Sequence, residues 1–227
     1  MERFFDIIFS GFLLLILLPL FLVVIIILRF TGEKEIFFLQ ERVGMNRKIF
    51  NLYKFATMLK NSPNIGTGTL TIKDDARVLP VGVFLRKSKI NELPQLLNIF
   101  FGDMSFIGPR PLTQQTFNQY SKNVKSSIER VKPGLSGIGS IVFRNEEDIM
   151  QDSLASVNFY NNTIAPYKGN LEVWYVENKS LLLYFKCILV TIYIVIIPDS
   201  SFLWQFFKKL PQPPKKLEIP LKYKSNA

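Results

Sequence analysis

From Ile7 to Leu28 the chain carries no charged side chain and consists almost wholly of Ile, Leu, Val and Phe. An apolar run of about 20 residues is long enough to cross a bilayer as a helix. Pro19 falls near its middle, where a residue without an N–H removes a backbone hydrogen bond and favours a bend. The run is longer than the apolar core of a signal peptide, Arg29 follows it directly, and no small-residue cleavage site is evident. It therefore reads as a retained anchor. Arg3 precedes the run, and Arg29, Lys34, Arg42, Arg47 and Lys48 follow it, so basic residues flank both ends. A spanning helix normally has asymmetric flanks. Symmetric flanks and Pro19 point to a helix broken at the proline that enters and leaves on one face. A kinked single span fits the pattern of residues about as well.

Beyond the anchor the apolar stretches are short. Ile36–Lys60 alternates apolar segments with a basic turn at Gly44–Lys48, which predicts a short strand or extended pair and then the start of a helix. Asn61–Asp74 is polar and Gly-rich and reads as a loop. In Ile90–Phe101, apolar residues at Leu93, Leu96, Leu97 and Phe100 have helical spacing. Pro94 suits the first turn of that helix and Gly102 its end. Thr113–Val131 and Glu146–Tyr160 predict helices, and Lys132–Ser140 (KPGLSGIGS) a glycine-rich loop. Leu181–Ile197 is apolar apart from Lys186 and suits a core or interfacial helix, while Phe202–Lys209 mixes aromatics with lysine as interfacial anchors do. The Pro/Lys tail from Pro211 predicts an extended or disordered end. The fold class expected is mixed and mainly α with a few short strands. Its parts are a re-entrant membrane helix over 1–30, a cytoplasmic domain with interfacial helices over 31–200, and an aromatic/basic segment with a flexible tail over 201–227.

Charge and composition narrow the chemistry. Lys and Arg number 28 against 18 Asp and Glu, a net charge of +10. On a membrane-attached chain this excess suits the cytoplasmic face and anionic lipid, and also a phosphate-bearing substrate. Nucleic acid is not the expected partner, because neither a recognition helix nor a stacking motif accompanies the charge. The chain has no histidine, which removes Ser–His–Asp triads, His–metal sites and His acid–base catalysis. One cysteine, Cys187, excludes an internal disulfide and a thiolate zinc cluster. Covalent chemistry is left to carboxylates, Lys, Tyr, Ser, Thr or Cys187, and any metal would be a hard, oxygen-ligated one such as magnesium.

Glu92 stands at a predicted helix start beside Asn91, after Arg86, Lys87 and Lys89, an environment that favours the ionised carboxylate. A nucleophile or a metal ligand needs that form. The same pair also reads as an ordinary helix start with Asn91 as its cap. Arg110 lies between Pro109 and Pro111, rigid flanks that fix where its guanidinium points, to grip phosphate or equally to stabilise the turn. Gly134, Gly137 and Gly139 offer a weak phosphate-cradle signal. Lys54 and Arg144 are further candidate phosphate ligands.

In combination these segments are far more specific. QERVG (Gln40–Gly44), YKFATM (Tyr53–Met58), FLRKSKINELPQLLNI (Phe84–Ile99), GDMSFIGPRPL (Gly102–Leu112) and KPGLSGIGS occur in this order behind a proline-bearing apolar segment. The set resembles the bacterial sugar transferase family, the monotopic phosphoglycosyl transferases, over about residues 1 to 200. The resemblance implies a protein of the bacterial inner membrane, with its domain on the cytoplasmic face and a re-entrant helix broken at a Ser-Pro. It implies transfer of a sugar-1-phosphate from a UDP-sugar to a polyprenyl phosphate such as undecaprenyl phosphate, with magnesium, initiating surface glycan assembly. It also implies covalent catalysis through the aspartate of an Asp-Glu pair. Glu92 matches the glutamate of that pair and is the magnesium ligand the resemblance suggests. Lys54, Arg86 and Arg110 match the family's basic positions. Membrane lipids are expected partners, and a homodimer is left open.

Three positions depart from the pattern: Asn91 stands at the aspartate, Leu18 at the serine before Pro19, and Ala56 at the arginine of a KFRTM-like motif. A carboxamide is a poor nucleophile. Glu92 then takes the role, or the acceptor attacks directly, or the chain is an impaired paralogue that binds substrates or scaffolds other glycan enzymes.

Overall fold

The computed structural model describes residues 1–62, 75–144, 149, 159–197, 202–207 and 209–223. Helices predominate, with four short strands among the described residues. The apolar run folds as α1 (Glu2–Phe30), the one helix among the described residues long and apolar enough to cross a membrane. Pro19 lies inside α1 and does not divide it into two helices, contrary to the expected break. A proline removes a single ladder hydrogen bond, and the helix continues on both sides of it.

The chain divides into two compact units, one comprising Arg3–Glu41 and Asn51–Gly102, the other Met1–Glu2, Arg42–Phe50 and Asp103–Ala227. A hairpin of β1 (Phe37–Val43) and β2 (Ile49–Phe55) contributes its open end to the first and its tip to the second. The helix expected to begin before Lys60 is absent. Instead, Met58 forms an isolated bridge with Val78.

In the first unit, Phe21, Val24 and Leu28 of α1 pack with Phe55 and Leu85. Leu85 lies on α2 (Pro80–Lys87), which starts with proline at its first position. The helical spacing around Leu93–Phe100 is realised as a single 3-10 turn, Ile90–Glu92, followed by α3 (Gln95–Phe101). Gly102 ends α3 as expected. Its φ of 98° lies in the left-handed region where a residue without Cβ is unstrained, and its N–H bonds the Asn98 carbonyl at 3.0 Å. Gly82 answers a different demand, since a Cβ there would lie 2.2 Å from the Thr57 carbonyl oxygen.

In the second unit, β3 (Ser105–Ile107) pairs in parallel with β4 (Gly134–Ser136). The polar helix expected over Thr113–Val131 is two helices, α4 (Gln114–Gln119) and α5 (Lys122–Ile128). Thr113 and Ser121 cap them through their hydroxyls, and the second cap explains the break. The expected glycine-rich loop is instead β4 and α6 (Ile138–Val142). A five-residue π-helix, Tyr160–Ile164, leads into α7 (Ala165–Glu177), and α8 (Leu181–Ile196) follows. Ile138, Ile141, Leu171, Tyr175, Tyr184 and Cys187 form a core at 0–1% exposure. After α9 (Leu203–Phe206), the tail carries α10 (Lys215–Glu218). Leu217 and Leu221 are buried, and Trp204 Nε1 donates to the Leu221 carbonyl at 3.1 Å, so residues 209–223 are packed rather than extended. Most of the loop expected over Asn61–Asp74 and of the helix expected over Glu146–Tyr160 lies outside the described residues.

Candidate active site

Strand alternation places Lys54. At the open end of the hairpin the Ala56 N–H bonds the Ile36 carbonyl at 2.9 Å, so even-numbered residues of β2 face β1 with their backbone groups. Asn51 and Tyr53 turn theirs to the other edge, where a side chain replaces a third strand. Asn98 Oδ1 accepts the Tyr53 N–H at 3.0 Å, and Asn98 Nδ2 donates to the Asn51 carbonyl at 2.7 Å. Asn98 is fully buried on α3. It locks β2 to the segment that carries Asn91 and Glu92, and beside this clamp Lys54 Nζ donates to Glu92 Oε1 at 3.0 Å.

Lys54 and Glu92, 38 residues apart in sequence, are thus brought together. Their side chains are 20% and 30% exposed, accessible to a ligand and partly shielded from water. Asn91 is not a cap. It lies inside the 3-10 turn at 7% exposure, and its Oδ1 finds no hydrogen-bond donor among the described residues. An unpartnered buried acceptor costs about 1–3 kcal/mol. Asn91 is the sequence neighbour of Glu92, and its side-chain oxygen is a hard donor atom without a partner among the described residues. No group of three or more metal-type side chains exists among the described residues. The oxygens present fit magnesium in its usual manner, one or two protein ligands completed by substrate phosphates and water. Arg86 is half-buried in the last turn of α2 in the same unit.

Arg110 and Arg144 belong to the other unit. Arg110 is exposed on the loop after β3, between buried Pro109 and Pro111. Arg144 is exposed just beyond α6. The glycines proposed as a cradle have a packing role instead. A Cβ at Gly134 or Gly137 would lie 2.1 Å from a backbone atom of Gly108, and one at Gly139 would lie 2.4 Å from Glu172 Oε1. Cys187 leaves the list of candidate nucleophiles. It is fully buried, and burial, with Glu172 adding to it, pushes its thiol up to about 12.

Sequence reasoning missed Asn98 and Glu172. Asn98 was visible as a polar residue on an otherwise apolar helix. Glu172 is 7% exposed on α7, and burial pushes its carboxyl up to about 7 against the opposing pull of Lys168 and Arg110.

The fold and these residues define a class: a mainly helical protein with a long apolar N-terminal helix and a partly exposed Lys/Glu pair. The chain belongs to the bacterial sugar transferase family, which it matches over residues 1–198. It is 33% identical over 200 residues to "Uncharacterized sugar transferase EpsL" of Bacillus subtilis (strain 168), covering 88% of this chain and 89% of that one. It is 31% identical over 206 residues to "UDP-glucose:undecaprenyl-phosphate glucose-1-phosphate transferase" of Klebsiella pneumoniae, covering 88% of this chain and 41% of that one. It is also 30% identical over 216 residues to "Undecaprenyl-phosphate galactose phosphotransferase" of Salmonella typhimurium, covering 89% of this chain and 42% of that one.

Proposed function

We propose that the protein transfers a sugar-1-phosphate from a UDP-sugar to a polyprenyl phosphate at the cytoplasmic face of the membrane, initiating a surface glycan. The observation that carries this reading is the Lys54–Glu92 pair, held by Asn98 within the family's motif residues. Two phosphate-bearing substrates need cations, and the chain offers Lys54, Arg86, Arg110 and Arg144 as ligands for their oxygens.

Glu92 is the ionisable member of the pair and the accessible one; Asn91 is a buried carboxamide. In this reading a Glu92 oxygen attacks the sugar-bearing phosphorus, and the bond to the bridging oxygen breaks with UMP taking the electron pair. A phosphate oxygen of the polyprenyl phosphate then displaces Glu92, which regains its carboxylate. Lys54 orients Glu92 and holds negative charge beside it. Magnesium would be held by Glu92 together with substrate phosphate oxygens and would supply charge neutralisation for the pyrophosphate.

Contacts near both ends of α1 support attachment to one face of the membrane. At its start Arg3 donates to the Ile99 and Phe100 carbonyls, and toward its end Leu28 packs with Phe55 and Leu85, all in one unit. A 29-residue helix is about 44 Å long against a hydrocarbon core of about 30 Å. A helix held near both ends by a unit on one side of a bilayer does not deliver its ends to opposite sides.

Purified full-length chain supplied with a panel of UDP-sugars, undecaprenyl phosphate and magnesium should release UMP, and UDP-sugar alone should add one phosphosugar to Glu92. Absence of UMP with every donor would refute the activity. The buried amide at Asn91 favours one second reading, a substrate-binding paralogue without turnover, and UDP-sugar binding without UMP release would select it.

A further inference from the structure

Three consecutive residues around Arg110 have a backbone group held from a different element of the same unit. The Pro109 carbonyl accepts the Gly134 N–H at 2.8 Å, and the Pro111 carbonyl accepts from Arg42 Nη1 at 3.0 Å. Between them the Arg110 N–H faces the Glu172 carboxyl and favours its charged form. The loop backbone is therefore fixed while Arg110 itself stays exposed. Of the three partners, a peptide N–H and a guanidinium keep their state across the neutral range. The carboxyl can change its own.

The setting of Glu172 is specific. Lys168 lies one turn earlier on α7, Cys187 faces it from α8, and Arg110 from the loop after β3. From α6 comes Gly139, where a Cβ would lie 2.4 Å from Glu172 Oε1, so the carboxyl occupies space that any other residue at 139 would fill. Glu172 Oε2 finds no donor among the described residues.

We infer that Glu172, its carboxyl seated in the space left by Gly139, is a positioning residue for Arg110, setting by its charge how firmly Arg110 is presented to a substrate phosphate. This rests on the reading of Arg110 as a phosphate ligand. An ionised carboxylate accepts an N–H in a charge-assisted bond roughly twice as strong as a neutral one. The Arg110 loop is accordingly held best when Glu172 is ionised, and loosens as the carboxyl takes up a proton.

The test uses the full chain in detergent with UDP as the probe, so it does not depend on turnover. At mildly alkaline pH, Glu172→Gln should weaken UDP binding about tenfold, the size of one charge-assisted hydrogen bond. It should also remove the rise in affinity through neutrality that exceeds the titration of UDP itself. The Arg110 amide resonance, observed with isotope-labelled arginine and assigned by its loss in Arg110→Lys, should shift over the same range in the wild type and stay fixed in Glu172→Gln. Gly139→Ala should weaken UDP binding, and adding Glu172→Asp should restore it, because the shorter acid vacates the Cβ space. Wild-type UDP affinity and pH profile in Glu172→Gln would overturn the inference. So would an Arg110 amide that does not titrate, or a wild-type chain that does not bind UDP. Glu172-dependent UDP binding without UMP release from any donor would defeat the transferase reading and leave this one standing.

Discussion

Lys54 Nζ and Glu92 Oε1 meet at 3.0 Å because the Asn98 amide fastens β2 to the segment from which Glu92 projects. The pair is partly exposed, so its contribution to stability is at most about 1 kcal/mol. Its contribution to transfer should be larger, since the carboxylate is the nucleophile of the proposed covalent step and an amide in its place cannot form the adduct, a loss of about a hundredfold or more. Glu92→Gln should therefore lower UMP release by about that factor while shifting the unfolding midpoint little. Equal rates in Glu92→Gln and wild type would remove Glu92 from the chemistry.

Asn98→Leu keeps the side-chain volume and deletes both strand-edge hydrogen bonds. The Tyr53 N–H and Asn51 carbonyl would be left without the partner that Asn98 provides, a loss of about 2–4 kcal/mol. Asn98→Asp keeps the acceptor but loses the donor and buries a charge against the Asn51 carbonyl, so at neutral pH it should be destabilised at least as much as Asn98→Leu. Circular dichroism melts of the detergent-solubilised variants check the order, and an Asn98→Leu melt matching wild type would contradict the clamp.

Local patterns in the sequence were legible where a single segment carries its own signal. The apolar N-terminal helix, the helical spacing before Gly102 and the Pro109–Arg110–Pro111 turn all follow from neighbours in the chain. Functions that depend on distant partners did not announce themselves. Asn91 looks like a cap in isolation but is buried inside a 3-10 turn. Gly134, Gly137 and Gly139 resemble a phosphate cradle, yet their missing Cβ atoms make room for Gly108 and Glu172. No periodicity reveals that a side-chain amide on α3 will complete the edge of β2, since the pairing spans 45 and 47 residues.

Glu172 should leave a signature in the pH dependence of stability. Its folded-state value of about 7 lies above the ordinary 4.5 because burial disfavours the charge. Between those values the folded chain binds a proton that the unfolded chain has released. Stability therefore falls as pH rises from 4.5 to about 7 and levels off above that. The contribution is of order 3 kcal/mol. Glu172→Gln should flatten this part of the profile in denaturant titrations at a series of pH values, and an unchanged slope would show that the carboxyl is ionised across the range.

Asn91→Asp separates the two carboxylate positions. It introduces an ionisable group at a site 7% exposed, whose oxygen lacks a donor among the described residues. Burying the new charge should cost about 1–3 kcal/mol of stability unless a cation is supplied. Magnesium would offset that cost, so the variant's melting temperature should rise with magnesium more than the wild type's does. With UDP-sugar alone, peptide mass spectrometry should find the phosphosugar on Glu92 in the wild type, whereas Asn91→Asp provides a second carboxylate and should carry part of the adduct at position 91. An adduct confined to Asp-substituted chains, with no UMP released by wild type, would mean that the amide has made this chain a binder. A wild-type adduct on Glu92 would mean that the neighbouring carboxylate has taken over the nucleophile's task.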